Sequence, residues 1–103
     1  MNRHSYLYIL TNYNKTVLYT GISSNISHRL RQHVNGELEG FSKKYRCKYL
    51  IYYEKYECIN DAIFREKQLK KWNRKMKEVL INKTNPDWKS LNDSVFRLKE
   101  EYL

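Results

Sequence analysis

The sequence predicts an α+β domain in which short strands alternate with helices. Two apolar, tyrosine-rich runs at residues 6–10 and 17–22 flank a segment with Asn12 and Asn14, which favours a β-hairpin. A third run of the same character spans residues 49–56. The segments after the hairpin and after the third run have helix caps and helical spacing of apolar residues. The chain has 103 residues, which is enough for one domain with a modest core.

The hairpin brings two tyrosines onto one face of the sheet. If its turn is centred between Tyr13 and Asn14, Tyr8 lies directly opposite Tyr19. A slip of one residue would send the two side chains to opposite faces, so this pairing depends on the register. The chain has ten tyrosines, and a pair on a hairpin is more often packing than chemistry.

The first helix is predicted from about residue 26 to residue 35. Residues 23–25 offer N-caps, and Gly36 is a stop signal. Arg29 and His33 are four residues apart, so they stack at the boundary between core and solvent. Each alone is weak evidence of a site. The buried stripe of this helix recurs every four residues, at Ile26, Leu30 and Val34.

The second half of the chain continues with a loop, a strand and helices. Residues 36–48 have two glycines and indicate a loop before the third strand. Pro86 disfavours helix at Asn85, so residues 85–88 form a turn. We take residues 1–92 as the domain and residues 93–103 as a helical tail packed on it. The predicted helices run from Asn60 or Asp61 to about Trp72, onward after a break near Asn73, and from about Ser90 to Leu103.

The positive charge is concentrated in one third of the chain. The net charge is +9, and residues 43–77 hold twelve basic and four acidic residues, a net charge of +8. Tyr45, Tyr49 and Trp72 are interleaved with these charges, which favours a nucleic-acid surface over an ordinary solvated face. The predicted binding residues are Lys43, Lys44, Arg46, Lys67, Lys70, Lys71 and Arg74.

Several classes of protein are excluded by the composition. No apolar run approaches the roughly 18 residues of a membrane span, and the first residues lack the pattern of a secretory signal. Cys47 and Cys58 lack the spacing of a metal site, so we predict reduced core cysteines in a cytoplasmic protein. We expect no membrane partner and no small-molecule cofactor.

Glu66 is the most informative single position. At helical spacing it falls in the middle of an apolar arc made of Ile59, Ala62, Ile63 and Leu69. A carboxylate on a core face is costly unless it is paired or binds a cation. Two interpretations remain open: an ion pair with Arg29 or Lys70, or a metal ligand or acid–base group.

In combination, these motifs resemble the GIY-YIG nuclease superfamily. The segments "YLY" (6–8) and "YTG" (19–21) correspond to its two signature tripeptides, and Arg29 follows at the family spacing. The segment "AIFREKQLKKW" (62–72) is similar to the one that carries the family glutamate, at Glu66. The segment "LINKTNPDWKSLN" (80–92) is similar to the end of the small single-domain bacterial members. The first tripeptide lacks Gly-Ile, and Thr20 replaces the isoleucine of the second.

The resemblance implies a fold and a set of roles. The fold would be a three-stranded antiparallel sheet flanked by helices. Tyr8 is our choice of general base, with Tyr19 orienting water or phosphate. His33 would position or activate the water, and Arg29 would stabilise the transition state. Glu66 would hold one Mg²⁺ or Mn²⁺, whose bound water protonates the leaving 3′-oxygen.

One family feature lacks an obvious counterpart. An asparagine that many members have about twelve residues after the glutamate corresponds to Glu78 here. Asn73, Asn82 and Asn85 are the candidate substitutes, and we prefer Asn85 as a phosphate-positioning residue.

The leading hypothesis is a metal-dependent DNA endonuclease that leaves 5′-phosphate and 3′-hydroxyl ends. Superfamily members serve repair, restriction and intron homing, usually fused to domains that choose the target. We therefore expect weak sequence readout, a single-stranded or branched DNA substrate, and a monomer or weak dimer. The alternative is an inactive module that binds nucleic acid or a protein on the same fold. A membrane-surface protein is a third and weaker interpretation, because the basic helix has too little apolar area.

Overall fold

A central three-stranded sheet organises the chain. The computed structural model describes residues 4–98. The strands are β1 (Ser5–Thr11), β2 (Leu18–Ser23) and β3 (Tyr49–Tyr56), in the order β2-β1-β3, with both pairings antiparallel. This arrangement confirms the predicted α+β fold with a three-stranded antiparallel sheet.

The register of the hairpin differs from the prediction. Tyr8 pairs with Gly21 and Leu10 pairs with Tyr19, so Tyr8 does not lie directly opposite Tyr19. The loop spans residues 12–17, one residue later than the predicted 11–16, and the Asn12 Oδ1 accepts hydrogen bonds there from the backbone N–H groups of Thr16 (2.8 Å) and Val17 (3.1 Å). The shift is two residues, which preserves the side-chain alternation. Tyr8 and Tyr19 therefore still share a face, as diagonal neighbours.

Helices cover both faces of the sheet. They are α1 (Ile26–Val34), α2 (Phe41–Lys44), α3 (Ile59–Lys70), α4 (Arg74–Thr84) and α5 (Asn92–Phe96). The predicted first helix, its stop at Gly36 and the break near Asn73 are confirmed, and Asn73 caps α4. The cap of α3 is Cys58, so the prediction of Asn60 or Asp61 is wrong. No helix in residues 4–98 is long and apolar enough to cross a membrane.

Two core clusters form because β1 is buried on both faces. One contains Tyr8, Leu10, Ile26, Leu30 and Val95, and the other contains Leu7, Ile9, Ile51, Leu69 and Ile81. Two predicted core residues are exceptions. Cys58 is exposed at the start of α3, whereas Cys47 is buried as predicted. Ile59 is 51% exposed because it lies in the first turn of α3, at the end of the apolar arc.

Two predicted segments differ in extent. The segment at residues 36–48, predicted as a loop, contains the four-residue helix α2. Of the last predicted helix, Asn92–Phe96 is helical, and residues 99–103 lie outside the described residues. The buried Val95 packs α5 against the first core cluster.

Candidate active site

The Tyr8 side chain crosses the edge strand at Gly21. Tyr8 lies on the central strand β1, and Gly21 is its partner on the edge strand β2. A Cβ at Gly21 would lie 2.6 Å from the Tyr8 hydroxyl oxygen and 2.7 Å from Cζ, well inside contact distance. The glycine of "YTG" therefore opens the path by which the phenol passes over β2.

The Tyr8 hydroxyl belongs to a chain of three buried polar side chains. Its oxygen lies 2.9 Å from Nε2 of His33, and Nδ1 of His33 lies 2.6 Å from Oγ of Ser42. None of the three residues is more than 4% exposed. His33 comes from the last turn of α1 and Ser42 from α2. Three separate elements thus hold one hydrogen-bonded chain.

The protonation states of the chain follow from burial. Desolvation, followed by the charge of Arg29, lowers the pKa of His33 to about 4. Desolvation and the neighbouring Tyr19 raise the pKa of Tyr8 above its usual value, while Arg29 opposes that rise. At neutral pH the imidazole is uncharged and the phenol is protonated. A neutral imidazole carries one ring proton, so it donates to one neighbour and accepts from the other.

Tyr19 lies beside this chain rather than within it. Its ring centroid is 5.5 Å from that of His33 and 6.4 Å from that of Tyr8. On its other side it stacks on Phe41, at 6.2 Å and an interplanar angle of 22°. The structure therefore brings both predicted phenols to His33.

Arg29 and Glu66 add one charge of each sign. Both charges act on the pKa of Tyr8, Arg29 lowering it and Glu66 raising it. The Arg29 Nε is buried and has no hydrogen-bond partner within residues 4–98. A buried guanidinium donor without a partner is costly, and an anionic ligand such as a phosphate would satisfy it.

Glu66 lies at the rim of the core on α3. Its side chain is 19% exposed, and its Oε2 lies 3.1 Å from the Lys70 ammonium. The ion pair considered from the sequence is thus formed with Lys70, whose side chain is half exposed. The preceding residue fixes the rotation of α3, since Arg65 donates from Nε (3.0 Å) and Nη2 (3.1 Å) to Glu54 on β3. This fork joins the middle of α3 to β3, one residue away from Glu66.

Comparison with known proteins identifies the family. The model of the GIY-YIG catalytic domain matches residues 4–79, which contain every side chain of the site described above. The chain belongs to the GIY-YIG family. A UPF0213 protein from Syntrophus aciditrophicus is 38% identical over 84 residues, covering 81% of this chain and 94% of its own length.

Two further proteins are similar to this chain. A UPF0213 protein from Staphylococcus aureus is 34% identical over 64 residues, covering 62% of this chain and 78% of its own. The solution structure of a UPF0213 protein from Bacillus halodurans is similar to this fold, with a TM-score of 0.53. It is 20% identical and covers 93% of this chain and 99% of its own, so it supports the fold alone.

The GIY-YIG site has few groups that bind metal ions. Residues 4–98 contain no cluster of three or more histidine, cysteine, aspartate or glutamate side chains. Mg²⁺ is commonly held by one or two carboxylates, with waters and substrate phosphates completing its shell. Glu66 fits that kind of site, provided that the cation displaces the Lys70 ammonium from its carboxylate.

A groove opens beside the GIY-YIG residues along β2. Its volume is about 320 Å³. Burial and the nearby charge of Lys70 lower the pKa of Lys77. Neither Lys77 nor Phe41 was among the residues predicted from the sequence. The groove is lined by Leu18, Tyr19, Thr20, Phe41, Lys70 and Lys77.

Sequence reasoning also missed Ser42. Residue 42 sits in a segment with no apolar period, and nothing in the local sequence indicates that its hydroxyl reaches His33. Gly40, with a φ of 110°, begins α2, but a glycine at that position does not indicate the contact made by Ser42.

The predicted basic residues are all exposed, but some of them are held in ion pairs or hydrogen bonds with other parts of the protein. Lys43 pairs with Glu39 at 3.1 Å. Arg74 bonds Glu78 at 2.8 Å and the carbonyl oxygens of Lys15 and Thr16 at 2.8 and 2.9 Å, so it braces the hairpin loop. No ion pair is formed within residues 4–98 by Lys44, Arg46, Lys67 or Lys71.

The three candidate asparagines all serve the fold. Asn73 caps α4 by accepting from the Met76 N–H, and Asn82 accepts from the Trp88 indole. Asn85 donates to the carbonyls of Ile51 (3.0 Å) and Lys89 (2.9 Å) and accepts from the Lys89 N–H (3.0 Å). Ile51 is on β3, at the opposite edge of the sheet from Gly21. The structure does not bring Asn85 to Tyr8.

Proposed function

We propose that this GIY-YIG domain is a divalent-metal-dependent endonuclease that hydrolyses phosphodiester bonds in DNA. The observation that carries the proposal is the Tyr8 hydroxyl. It crosses the sheet edge at Gly21 and contacts a neutral imidazole. The charges of Arg29 and Glu66 both affect its pKa. A core tyrosine needs none of these arrangements. The positive charge of residues 43–77 suits a polyanionic substrate.

The proposed reaction begins with proton transfer along the buried chain. Tyr8 accepts a proton from the attacking water while its own phenolic proton passes to Nε2 of His33. The raised pKa of Tyr8 and the lowered pKa of His33 disfavour a standing phenolate–imidazolium pair. The two transfers therefore accompany the attack rather than precede it.

The rest of the reaction takes place at phosphorus. The water oxygen forms a bond to phosphorus, the bond to the 3′-oxygen breaks, and the leaving oxygen takes up a proton from solvent. The products carry a 5′-phosphate and a 3′-hydroxyl. Arg29 neutralises charge on the pentacovalent transition state, and Tyr19 orients the water or the phosphate.

Glu66 would hold one Mg²⁺ or Mn²⁺ in this proposal. A bound divalent cation would neutralise phosphate charge and assist the leaving group. A chain with this composition is expected to act in the cytoplasm.

Two conservative variants test the assignment. Tyr8→Phe removes the hydroxyl and Glu66→Gln removes the charge, and each keeps the shape of the side chain. We expect each variant to lower the cleavage rate by about 10²-fold or more, the size of a lost general base. Glu66→Gln should change the melting temperature little, because the ion pair of Glu66 within residues 4–98 is with a half-exposed lysine. Tyr8→Phe leaves the buried Nε2 of His33 without its partner, so we expect it to cost about 1–3 kcal/mol of stability, and its cleavage rate is compared per folded molecule.

The controls are Tyr13→Phe, at an 80% exposed position in the hairpin loop, and Glu57→Gln, at an exposed position before α3. A Tyr8→Phe protein that cleaves at the wild-type rate would remove Tyr8 as the base. A Glu66→Gln protein that unfolds would favour the structural ion pair over a metal site.

A further inference from the structure

The groove along β2 combines two surfaces of different chemistry. Its strand side is formed by residues 18–20, and Tyr19 and Phe41 contribute aromatic rings. Lys70 and Lys77 contribute two ammonium groups from α3 and α4. A volume of about 320 Å³ is at the small end of ligand sites.

On the aromatic side, the exposed Phe41 ring packs against other aromatic rings. Phe41 is 49% exposed. It stacks almost parallel on Tyr19 and contacts Tyr45, with ring centroids 4.7 Å apart. Its helix, α2, is anchored by the buried bond from Ser42 to His33. Phe41 thus presents an apolar ring, packed against Tyr19, next to the catalytic groups.

On the cationic side, one of the two lysines has no ion-pair partner within residues 4–98. Lys77 makes no ion pair with any carboxylate of residues 4–98, and it is partly buried near Lys70. Two like charges at one groove repel each other, and a phosphate between them would relieve that repulsion. Lys70 also joins the groove to the reaction site, because it contacts Glu66.

We propose that this groove binds one unpaired nucleotide next to the scissile phosphate, with its base on Phe41 and its phosphate between Lys70 and Lys77. The inference rests on the proposed function for the position of the scissile bond. Stacked aromatic rings beside cations are the usual means of holding single strands. A base inside a duplex has both faces covered, so it reaches Phe41 only after leaving its stack. The substrate class is therefore DNA with an unpaired segment at the cut site.

Binding in EDTA tests the groove without cleavage. The probes are a fluorescein-labelled 12-nucleotide oligothymidylate and a labelled 12-base-pair duplex. Phe41→Leu keeps apolar bulk but removes the aromatic face, and we expect it to weaken single-strand binding about 10-fold while leaving duplex binding unchanged. Phe41→Tyr should restore single-strand binding. Phe64→Leu is the matched control, since Phe64 is 71% exposed on α3 and does not line the groove.

The phosphate contact has its own measurement. Lys77→Ala should lower the slope of log affinity against log salt by about 0.7 for the single strand, the value for one phosphate contact. Lys83→Ala, an exposed lysine of the same helix, is the control for general charge. Urea midpoints show whether each variant is folded at the assay temperature.

The outcomes separate the two proposals. The groove is ruled out if Phe41→Leu binds the single strand as Phe64→Leu does, or weakens both probes equally. If the groove behaves as expected but no DNA is cut with Mg²⁺ or Mn²⁺, the nuclease proposal fails and the nucleotide-binding groove stands. If DNA is cut and Phe41→Leu has no effect, the groove alone fails.

Discussion

At the scale of single residues, the site depends on the missing side chain of Gly21 and on the hydroxyl group of Ser42. Gly21 has no side chain, and that absence lets the Tyr8 phenol cross the edge strand. Ser42 supplies a hydroxyl 2.6 Å from Nδ1 of His33. Gly21 is part of the recognisable "YTG" segment, whereas Ser42 has no signature in the sequence.

Ser42 is expected to be a positioning residue. In the proposed reaction Nε2 must accept the Tyr8 proton, so Nδ1–H must donate to Ser42 Oγ. Ser42→Ala removes that acceptor and allows the other tautomer, which donates to Tyr8 and cannot take its proton. We expect kcat to fall about 10-fold or more with KM nearly unchanged, and Ser42→Thr to recover most of the loss.

Steady-state kinetics on a DNA substrate, with urea midpoints measured in parallel, distinguish this role from a structural one. A purely structural serine would change stability in Ser42→Ala and leave kcat per folded molecule as it was. A rise in KM without a fall in kcat would also contradict the tautomer argument.

At the scale of elements, the sequence predicts the helices and strands that are long enough to show a repeating pattern of apolar residues. Strand β3 and the start of α4 are confirmed, because alternation and an asparagine cap are local signals. Helix α2 has four residues and no period, so it was predicted as loop. The hairpin register was wrong by two residues because the loop begins one residue later, at Asn12, whose side chain organises it. Such loop bonds depend on a conformation that composition does not specify.

Asn85 shows how an element boundary holds the sheet. Its amide makes two donated bonds and one accepted bond that tie the end of α4 to β3 and to Lys89. Asn85→Ala leaves buried carbonyl and N–H groups without partners, so we expect a loss of about 2–3 kcal/mol of stability in urea unfolding. Cleavage per folded molecule should stay unchanged, since Asn85 lies by the opposite sheet edge.

Asn82→Ala is the matched control, because Asn82 is exposed and makes one bond, to Trp88. We expect it to cost well under 1 kcal/mol. A large fall in cleavage by Asn85→Ala with little change in stability would instead support the phosphate-positioning role predicted from the sequence.

At the scale of the whole molecule, burial of an uncharged histidine makes folding depend on pH. The pKa of His33 is about 4 in the folded protein, below the usual value of about 6.5. Between these two values the unfolded chain binds more protons, so stability is complete above pH 6.5 and falls as the pH drops toward 4. From pH 7 to pH 5, His33 is expected to account for a loss of about 2 kcal/mol.

Urea unfolding at pH 7 and pH 5 measures this loss. His33→Gln lacks the titrating ring, so its stability should fall by about 2 kcal/mol less than that of the wild type over the same interval. His28→Gln, an exposed position on the same helix, should behave as the wild type does. An equal fall in the wild type and in His33→Gln would contradict burial of a neutral imidazole.

The whole site was only partly predictable. Tyr8, Tyr19, Arg29, His33 and Glu66 belong to spaced motifs, and the structure brings all five together. Phe41 on α2 and Lys77 on α4 meet at the groove beside residues 18–20 only in the folded chain, which no local pattern indicates. Arg74 was predicted from charge alone, and its bonds to the hairpin loop became visible only in the fold.

The most direct test of the account is cleavage of labelled single-stranded, double-stranded and branched DNA, with Mg²⁺, Mn²⁺ or EDTA, by the wild type and by Glu66→Gln. We predict cutting that requires the metal, favours DNA with unpaired segments, yields 5′-phosphate ends and is lost in Glu66→Gln. Salt-sensitive binding without cutting under any metal would contradict the account and leave a nucleic-acid-binding member of the GIY-YIG family.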